Sequence, residues 1–186
     1  TAGVAVAVPQ LDAEHLLAAD VGRCFHPAFT GETIPSLSAA LKACAELGLA
    51  ANVEIKPAAG VEAETGSVVG ELLRAWRVAD SPEILLSSFS IEALAAAAAH
   101  VPELPRALLV ESHTPQNLAL ALQLGCVSLN VGCNGLEAKH VSDTLSAGLR
   151  VMAYTVNTCE AAAQLTDWGV CGLFTDRPDL LHARQT

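Results

Sequence analysis

The sequence predicts an α/β protein built on a parallel sheet, and three observations carry that prediction. From residue 35 onward, six short and nearly continuous apolar runs alternate with helical segments, the pattern of strands covered on both faces. Gly48, Gly125, Gly148 and Gly169 each stand just before one of those runs, where a left-handed residue lets a helix stop and the chain turn back. The 186 residues are 52% hydrophobic and only 4% aromatic, enough for one domain with a core of Ala, Leu and Val. Such alternation winds into either a barrel or a doubly wound sheet.

Taken in order, residues 1–34 are an excursion: a short helix around "QLDAEHLLAA", then the loop "VGRCFHPAFTGET". The segment "IPSLSAALKACAELG" reads as a helix, with Pro35 near its start, apolar residues at Leu37, Leu41, Cys44 and Leu47, and Gly48 as the stop. The strand "LAANVEIK" follows, then a helix around "TGSVVGELLRAWRVA" and the strand "EILLSSF". The cycle continues with helix "SIEALAAAAAHV" and strand "RALLVES", then helix "PQNLALALQLG" and strand "CVSLNVG". Helix "EAKHVSDTLSAG", strand "LRVMAYTVN", helix "TCEAAAQLTDWG" and strand "VCGLFTD" complete the series, and "PDLLHA" reads as a closing helix. No linker divides the chain, so residues 1–186 are expected to form a single domain, with the strand–helix units over 35–186. Six units do not close a barrel, which takes eight strands and about 250 residues. The expectation is an open sheet, or two further units ahead of Thr1.

Composition narrows the function. With 20 acidic against 10 basic residues the formal net charge is -10, which argues against nucleic acid and anionic membrane surfaces as partners. No apolar run approaches the ~18 residues of a membrane span, and the N-terminal stretch lacks both a basic signal-peptide region and a Met. Cys24, Cys44, Cys126, Cys133, Cys159 and Cys171 form no Cys-x-x-Cys pair. They are expected to be buried free thiols in a reducing, cytoplasmic compartment.

In parallel α/β folds ligands bind at the carboxyl ends of the strands. The polar residues there are Glu54 and Lys56, Ser87-Ser88-Phe89, Glu111-Ser112-His113, Asn130, Tyr154-Thr155-Val156-Asn157 and Thr175-Asp176-Arg177. They offer hard oxygen donors, a cation and hydroxyls, and no Ser-His-Asp or Cys-His set for covalent catalysis. Glu54 and Lys56 share one side of their strand, either as a structural ion pair or as side chains projecting into a site. Ser88 reads as a helix cap or a partner for backbone, Asp176 as a cap for the closing helix, His113 and His140 as surface residues, and Tyr154 as a strand aromatic. Neither "GETIPS" nor "GCNGLE" has the spacing of a phosphate loop.

The ordered set "GETIPSLSAAL", "ANVEIKP", "LLSSF", "VMAYTVN" and "GVCGLFTDRPDLL", with the early loop "DVGRCFHPAFTGE", resembles the glycerophosphodiester phosphodiesterase family, its cytosolic bacterial members above all. The resemblance implies a (β/α)8 TIM barrel of which this chain covers the last six strand–helix units. It implies metal-dependent hydrolysis of glycerophosphodiesters to glycerol 3-phosphate and an alcohol, with Mg2+ or Ca2+ as cofactor. By the same resemblance Glu54 is a metal ligand and Lys56 faces the phosphate; Tyr154 and Ser88 contact substrate, and Phe29 forms a wall beside Tyr154. The family's H-R-G, E-x-D and H-D segments, which bring its catalytic histidines and the other metal ligands, have no counterpart in these residues. The expectation is a piece of a longer enzyme, inactive and aggregation-prone in isolation. Its partners would be a small-molecule glycerophosphodiester and, across open sheet edges, a second copy of the chain. Two alternatives stand beside it: another phosphate-binding barrel enzyme, disfavoured by the lack of glycine in "YTVNTCEA" and "FTDRPD", and a non-catalytic barrel remnant that serves binding or assembly.

Overall fold

Hydroxyl side chains open most of the helices. Ser36, Ser90, Thr114 and Thr158 accept the backbone N–H of Ala39, Ala93, Asn117 and Ala161 at 3.1–3.2 Å, and such caps are each worth about 1 kcal/mol. They precede α2 (Leu37–Glu46), α4 (Ile91–His100), α5 (Pro115–Gln123) and α7 (Cys159–Asp167). At α6 (Ala138–Ser146) the N–H of Glu137 donates to His140 Nδ1 instead. The expected glycines end α2, α5, α6 and α7 at positive φ, from 63° at Gly125 to 100° at Gly169.

The computed structural model describes residues 8–76 and 82–180. These fall into two compact units, Thr1–Ala51 with Ala75–Glu83, and Asn52–Arg74 with Ile84–Thr186. The first unit contains the short α1 (Ala13–Leu17), α2 and an internally bonded loop. Asp20 staples that loop by accepting the N–H groups of Arg23 and Gly31, which holds its carboxyl below the usual carboxylate range. Val21 and Gly22 both donate to Glu32 O.

In the second unit the strands are β1 (Ala51–Glu54, which begins at the unit boundary), β2 (Ile84–Ser88), β3 (Arg106–Val110), β4 (Ser128–Gly132), β5 (Arg150–Tyr154) and β6 (Gly172–Leu173). They lie in sequential order, and β2 to β6 pair parallel. Crossovers between consecutive parallel neighbours are right-handed as a rule, which keeps the connecting helices α4 to α7 on one side of the sheet. A doubly wound sheet would instead reverse its order at a switch point, so this is the winding of a partial (β/α) barrel. α4 packs on β2 and β3, α5 on β3 and β4, and α6 on β5. The helix-facing side is filled by Leu86, Leu108, Leu129, Val151 and Ala153, all at most 2% exposed. α3 (Glu62–Trp76) approaches α4 so closely that a methyl on Gly66 would strike Ala93 O, and one on Gly70 would stand 2.8 Å from Ala97 O.

Some expectations are corrected. α3 starts three residues earlier than its pattern suggested, and Arg77–Ala79 lie outside the described residues. Pro178–Leu180 form a turn, the rest of "PDLLHA" lies outside the described residues, and Asp176 bonds Asn157 rather than capping a helix. Of the six free cysteines only Cys126 is buried, its thiol pushed up to about 11 by desolvation. Cys24, Cys159 and Cys171 are exposed, because apolar neighbours in sequence do not fix which way a side chain turns.

Candidate active site

Strand register decides which polar residues meet. Ile55 N donates to Ser87 O at 2.7 Å, which in parallel pairing sets Ile55 beside Ser88, Glu54 beside Ser87 and Lys56 beside Phe89. The row Ser87–Ala107–Ser128–Arg150 continues across β2 to β5, and one step further along lies Leu109–Asn130–Met152. Tyr154, paired with Gly132, is on the same face. Ser88 belongs to the opposite, helix-facing row with Leu108, Leu129 and Val151.

Glu54, Lys56, Phe89 and Tyr154 are therefore brought to one face at the carboxyl ends of their strands. Lys56 Nζ stands 3.4 Å from Glu54 Oε1, with the lysine side chain largely exposed and the glutamate side chain mostly sheltered. That is ion-pair range without hydrogen-bond geometry, and Oε1 is buried with no hydrogen-bond partner among the described residues. Tyr154 donates its hydroxyl to Val110 O at 2.7 Å. Its ring meets Phe89 edge-on, with centroids 5.9 Å apart and planes at 83°. Burial, and then the charges of Glu111 and Glu54, push the Tyr154 phenol up to about 12, so it is a neutral donor at neutral pH. The peptide bond from Tyr154 to Thr155 is cis.

Asn157 clasps the neighbouring loop. Its Oδ1 accepts Thr175 Oγ1–H and Asp176 N–H, and its Nδ2 donates to Asp176 Oδ2. His113 and His140 stack with centroids 4.8 Å apart and are half-buried. Burial and the neighbouring His140 lower the His113 pKa.

The structure separates Ser88 from the substrate contact its motif implied. Its hydroxyl donates to Ile55 O at 2.7 Å and accepts Ser90 N–H at 3.0 Å, and none of it is exposed. It braces β2 against the end of β1, the backbone role its sequence also allowed. Phe89 holds the site-facing position instead. Period-two alternation would have paired it with Lys56, but strands apolar on both faces hide that alternation. Phe29 belongs to the first unit, half exposed, its ring 5.7 Å from that of Phe25.

A buried carboxylate oxygen without a donor suits a hard cation, which takes oxygen ligands. Among the described residues no group of three His, Cys, Asp or Glu could hold a metal ion. Glu54 thus fits as one ligand of a divalent ion, and the remaining donors must come from other groups.

A parallel barrel winding with a carboxylate, an ammonium and aromatics gathered at its strand ends places the candidate site where (β/α) barrel enzymes carry theirs. The model of the glycerophosphoryl diester phosphodiesterase family matches residues 1–180, and the chain belongs to that family. YhdW of Bacillus subtilis, whose name places it among the glycerophosphodiester phosphodiesterases, is 28% identical over 173 residues, covering 90% of this chain and 69% of its own. A second Bacillus subtilis protein, named glycerophosphodiester phosphodiesterase, is 33% identical over 104 residues, covering 54% of this chain and 36% of its own. Among solved structures, an Oleispira antarctica phosphodiesterase in complex with the product sn-glycerol-3-phosphate superposes with TM-score 0.87 at 29% identity. That match covers 93% of this chain and 70% of the other. Among the described residues no helix is long and apolar enough to cross a membrane.

Proposed function

We propose that this chain supplies one metal ligand, the phosphate-facing cation and an aromatic wall to an active site that hydrolyses glycerophosphodiesters to glycerol 3-phosphate and an alcohol. The observation that carries the reading is the donorless, buried Glu54 oxygen sharing a face with Lys56, Phe89 and Tyr154, in a chain of this family. A bound Mg2+ or Ca2+ would supply Lewis-acid charge at the phosphoryl oxygens, with Glu54 as its ligand in this chain. Lys56 stabilises the nonbridging oxygens as charge develops there. The Phe89–Tyr154 pair gives the glycerol carbons an apolar surface. Ser88 acts only by bracing Ile55. Substrates are small deacylated head-group diesters such as glycerophosphocholine, and six free thiols suit a reducing cytoplasm.

The test is phosphorus NMR of glycerophosphocholine incubated with a protein that joins this chain to the family's H-R-G, E-x-D and H-D segments, with and without EDTA. Release of glycerol 3-phosphate that EDTA abolishes and Mg2+ or Ca2+ restores is expected. Hydrolysis indifferent to EDTA, or unchanged in Glu54→Gln, would overturn the metal role.

A further inference from the structure

Three consecutive strand ends present a cation, a ring and an anion on the site-facing side. Lys56 follows β1, Phe89 follows β2 and Glu111 follows β3. Glu111 is two residues beyond Leu109 and continues the row through Gly132 to Tyr154. Lys56 and Glu111 are thus two strand spacings apart across the sheet, about 10 Å, with Phe89 on the strand between. Tyr154 joins them from β5. Its hydroxyl is bonded to Val110 O, one residue before Glu111, and its ring stands at 83° to that of Phe89. The charge of Glu111 reaches this corner, where it follows burial and precedes Glu54 among the causes that raise the Tyr154 phenol. The two carboxylates differ in their partners. Glu54 has Lys56 at 3.4 Å, whereas Glu111 is exposed and belongs to none of the ion pairs among the described residues.

We propose that Glu111 is a specificity-determining residue: its carboxylate, with the Phe89 and Tyr154 rings, receives a cationic alkylammonium alcohol as the head group of the diester. The inference rests on the phosphate-facing role proposed for Lys56. Such a diester carries a negative phosphate joined through a short carbon chain to a positive nitrogen. Lys56, Phe89 and Glu111 run in the complementary order, from cation to anion with an apolar surface between. A quaternary ammonium is drawn to aromatic faces, and two rings at 83° offer it a corner. Glu54 cannot take the place of Glu111, because its charge is already countered by Lys56. A neutral alcohol would gain nothing from Glu111, and a head group bearing its own carboxylate would be repelled. The formal net charge of -10 acts in the same direction.

The experiment compares two esters of glycerol 3-phosphate, one with choline and one with 3,3-dimethylbutanol, in which carbon replaces the nitrogen. The enzyme is the protein that joins this chain to the family's H-R-G, E-x-D and H-D segments, as parent, Glu111→Gln and Phe89→Leu. The two alcohols differ as leaving groups to the same extent in all three, so the change in the ratio of their kcat/KM values reads the side chain alone. Glu111→Gln is expected to lower that ratio, choline ester over isostere, by about 5-fold through loss on the choline ester. Raising the salt should shrink the parent's ratio toward that of the variant, since Glu111 is exposed. Phe89→Leu, which keeps apolar bulk without a ring face, should lower the ratio by about 3-fold. If Glu111→Gln leaves the ratio unchanged, or slows both esters alike, the head-group role is wrong while the hydrolytic reading stands. If neither ester is hydrolysed, the hydrolytic reading fails, and saturation-transfer NMR of choline with the same proteins decides the head-group role. A choline signal in the parent that weakens in Glu111→Gln upholds it. No signal in the parent, or an equal one in both, overturns it.

Discussion

Along β2 and the residue that follows it, Leu86 and Ser88 face the helices while Ser87 and Phe89 face the other way, and the two sets have different surroundings. On the helix side Leu86 and Ser88 are fully buried, and even the hydroxyl has both a donor and an acceptor. On the opposite side Phe89 is 46% exposed and Ser87 is buried without a hydrogen-bond partner among the described residues. One face is a finished core. The other carries the unmatched groups, and unmatched groups are what a ligand can complete. Stability and chemistry are therefore carried by opposite sides of the same strands, although the residues alternate one by one along them.

Substitutions on each face break this contrast in opposite senses. In a protein that joins this chain to the family's H-R-G, E-x-D and H-D segments, the largest effect belongs to Glu54→Gln, which should lower kcat/KM on glycerophosphocholine by roughly 1,000-fold, about 4 kcal/mol of transition-state stabilisation, and leave the urea midpoint nearly unchanged. On the finished face, Leu129→Ala should cost about 2–5 kcal/mol of stability in urea melts. Once folded and saturated with metal, that variant should keep its kcat. A Leu129→Ala variant that melted normally, or a Glu54→Gln variant that unfolded, would erase the contrast.

Phe89→Ala sharpens it on a smaller scale. The ring is partly exposed, so the stability cost should stay near 1 kcal/mol, while KM for the diester rises several-fold and kcat changes less. Steady-state kinetics would show this, and an unchanged KM would remove Phe89 from the substrate wall.

The smallest effects are pH dependences. Tyr154 is the sole Tyr of the chain, so absorbance at 295 nm reports its ionisation directly. With the folded pKa raised to about 12 from 10.0, the native state holds its proton longer than the unfolded state. The associated stability is fully present below pH 10 and is lost as pH rises toward 12. Tyr154→Phe should flatten that alkaline slope. His113 has the opposite sign: its pKa is lowered from 6.5, so its contribution is present above pH 6.5 and is lost as pH falls below it. An NMR titration in which His113 titrated at 6.5 or higher would contradict the half-buried stack.

Much of this was legible in the sequence, and the limit was facing rather than placement. The order of strands and helices followed from apolar runs, Ser and Thr caps and glycine stops, because each is a local signal. Glu54, Lys56 and Tyr154 could be located at strand ends for the same reason. The choice between Ser87 and Ser88 could not be made, since it depends on the bond from Ile55 N to Ser87 O, a contact 32 residues apart in sequence. The clasp of Asn157 on Thr175 and Asp176 was equally hidden, because it exists only once the loops after β5 and β6 meet.

Gly66 and Gly70 bring α3 against α4 backbone to backbone, with Ala93 O and Ala97 O where their methyl groups would be. A seam of this kind has no side-chain rotamers to rearrange where the two backbones meet. It acts as a mechanical stop, fixing how far the two helices can slide along each other. α3 follows the strand that carries Glu54 and α4 follows the strand that carries Ser87 and Phe89. The tolerance of the carboxylate's placement is thus set some distance from the chemistry, by two side chains that the sequence leaves out.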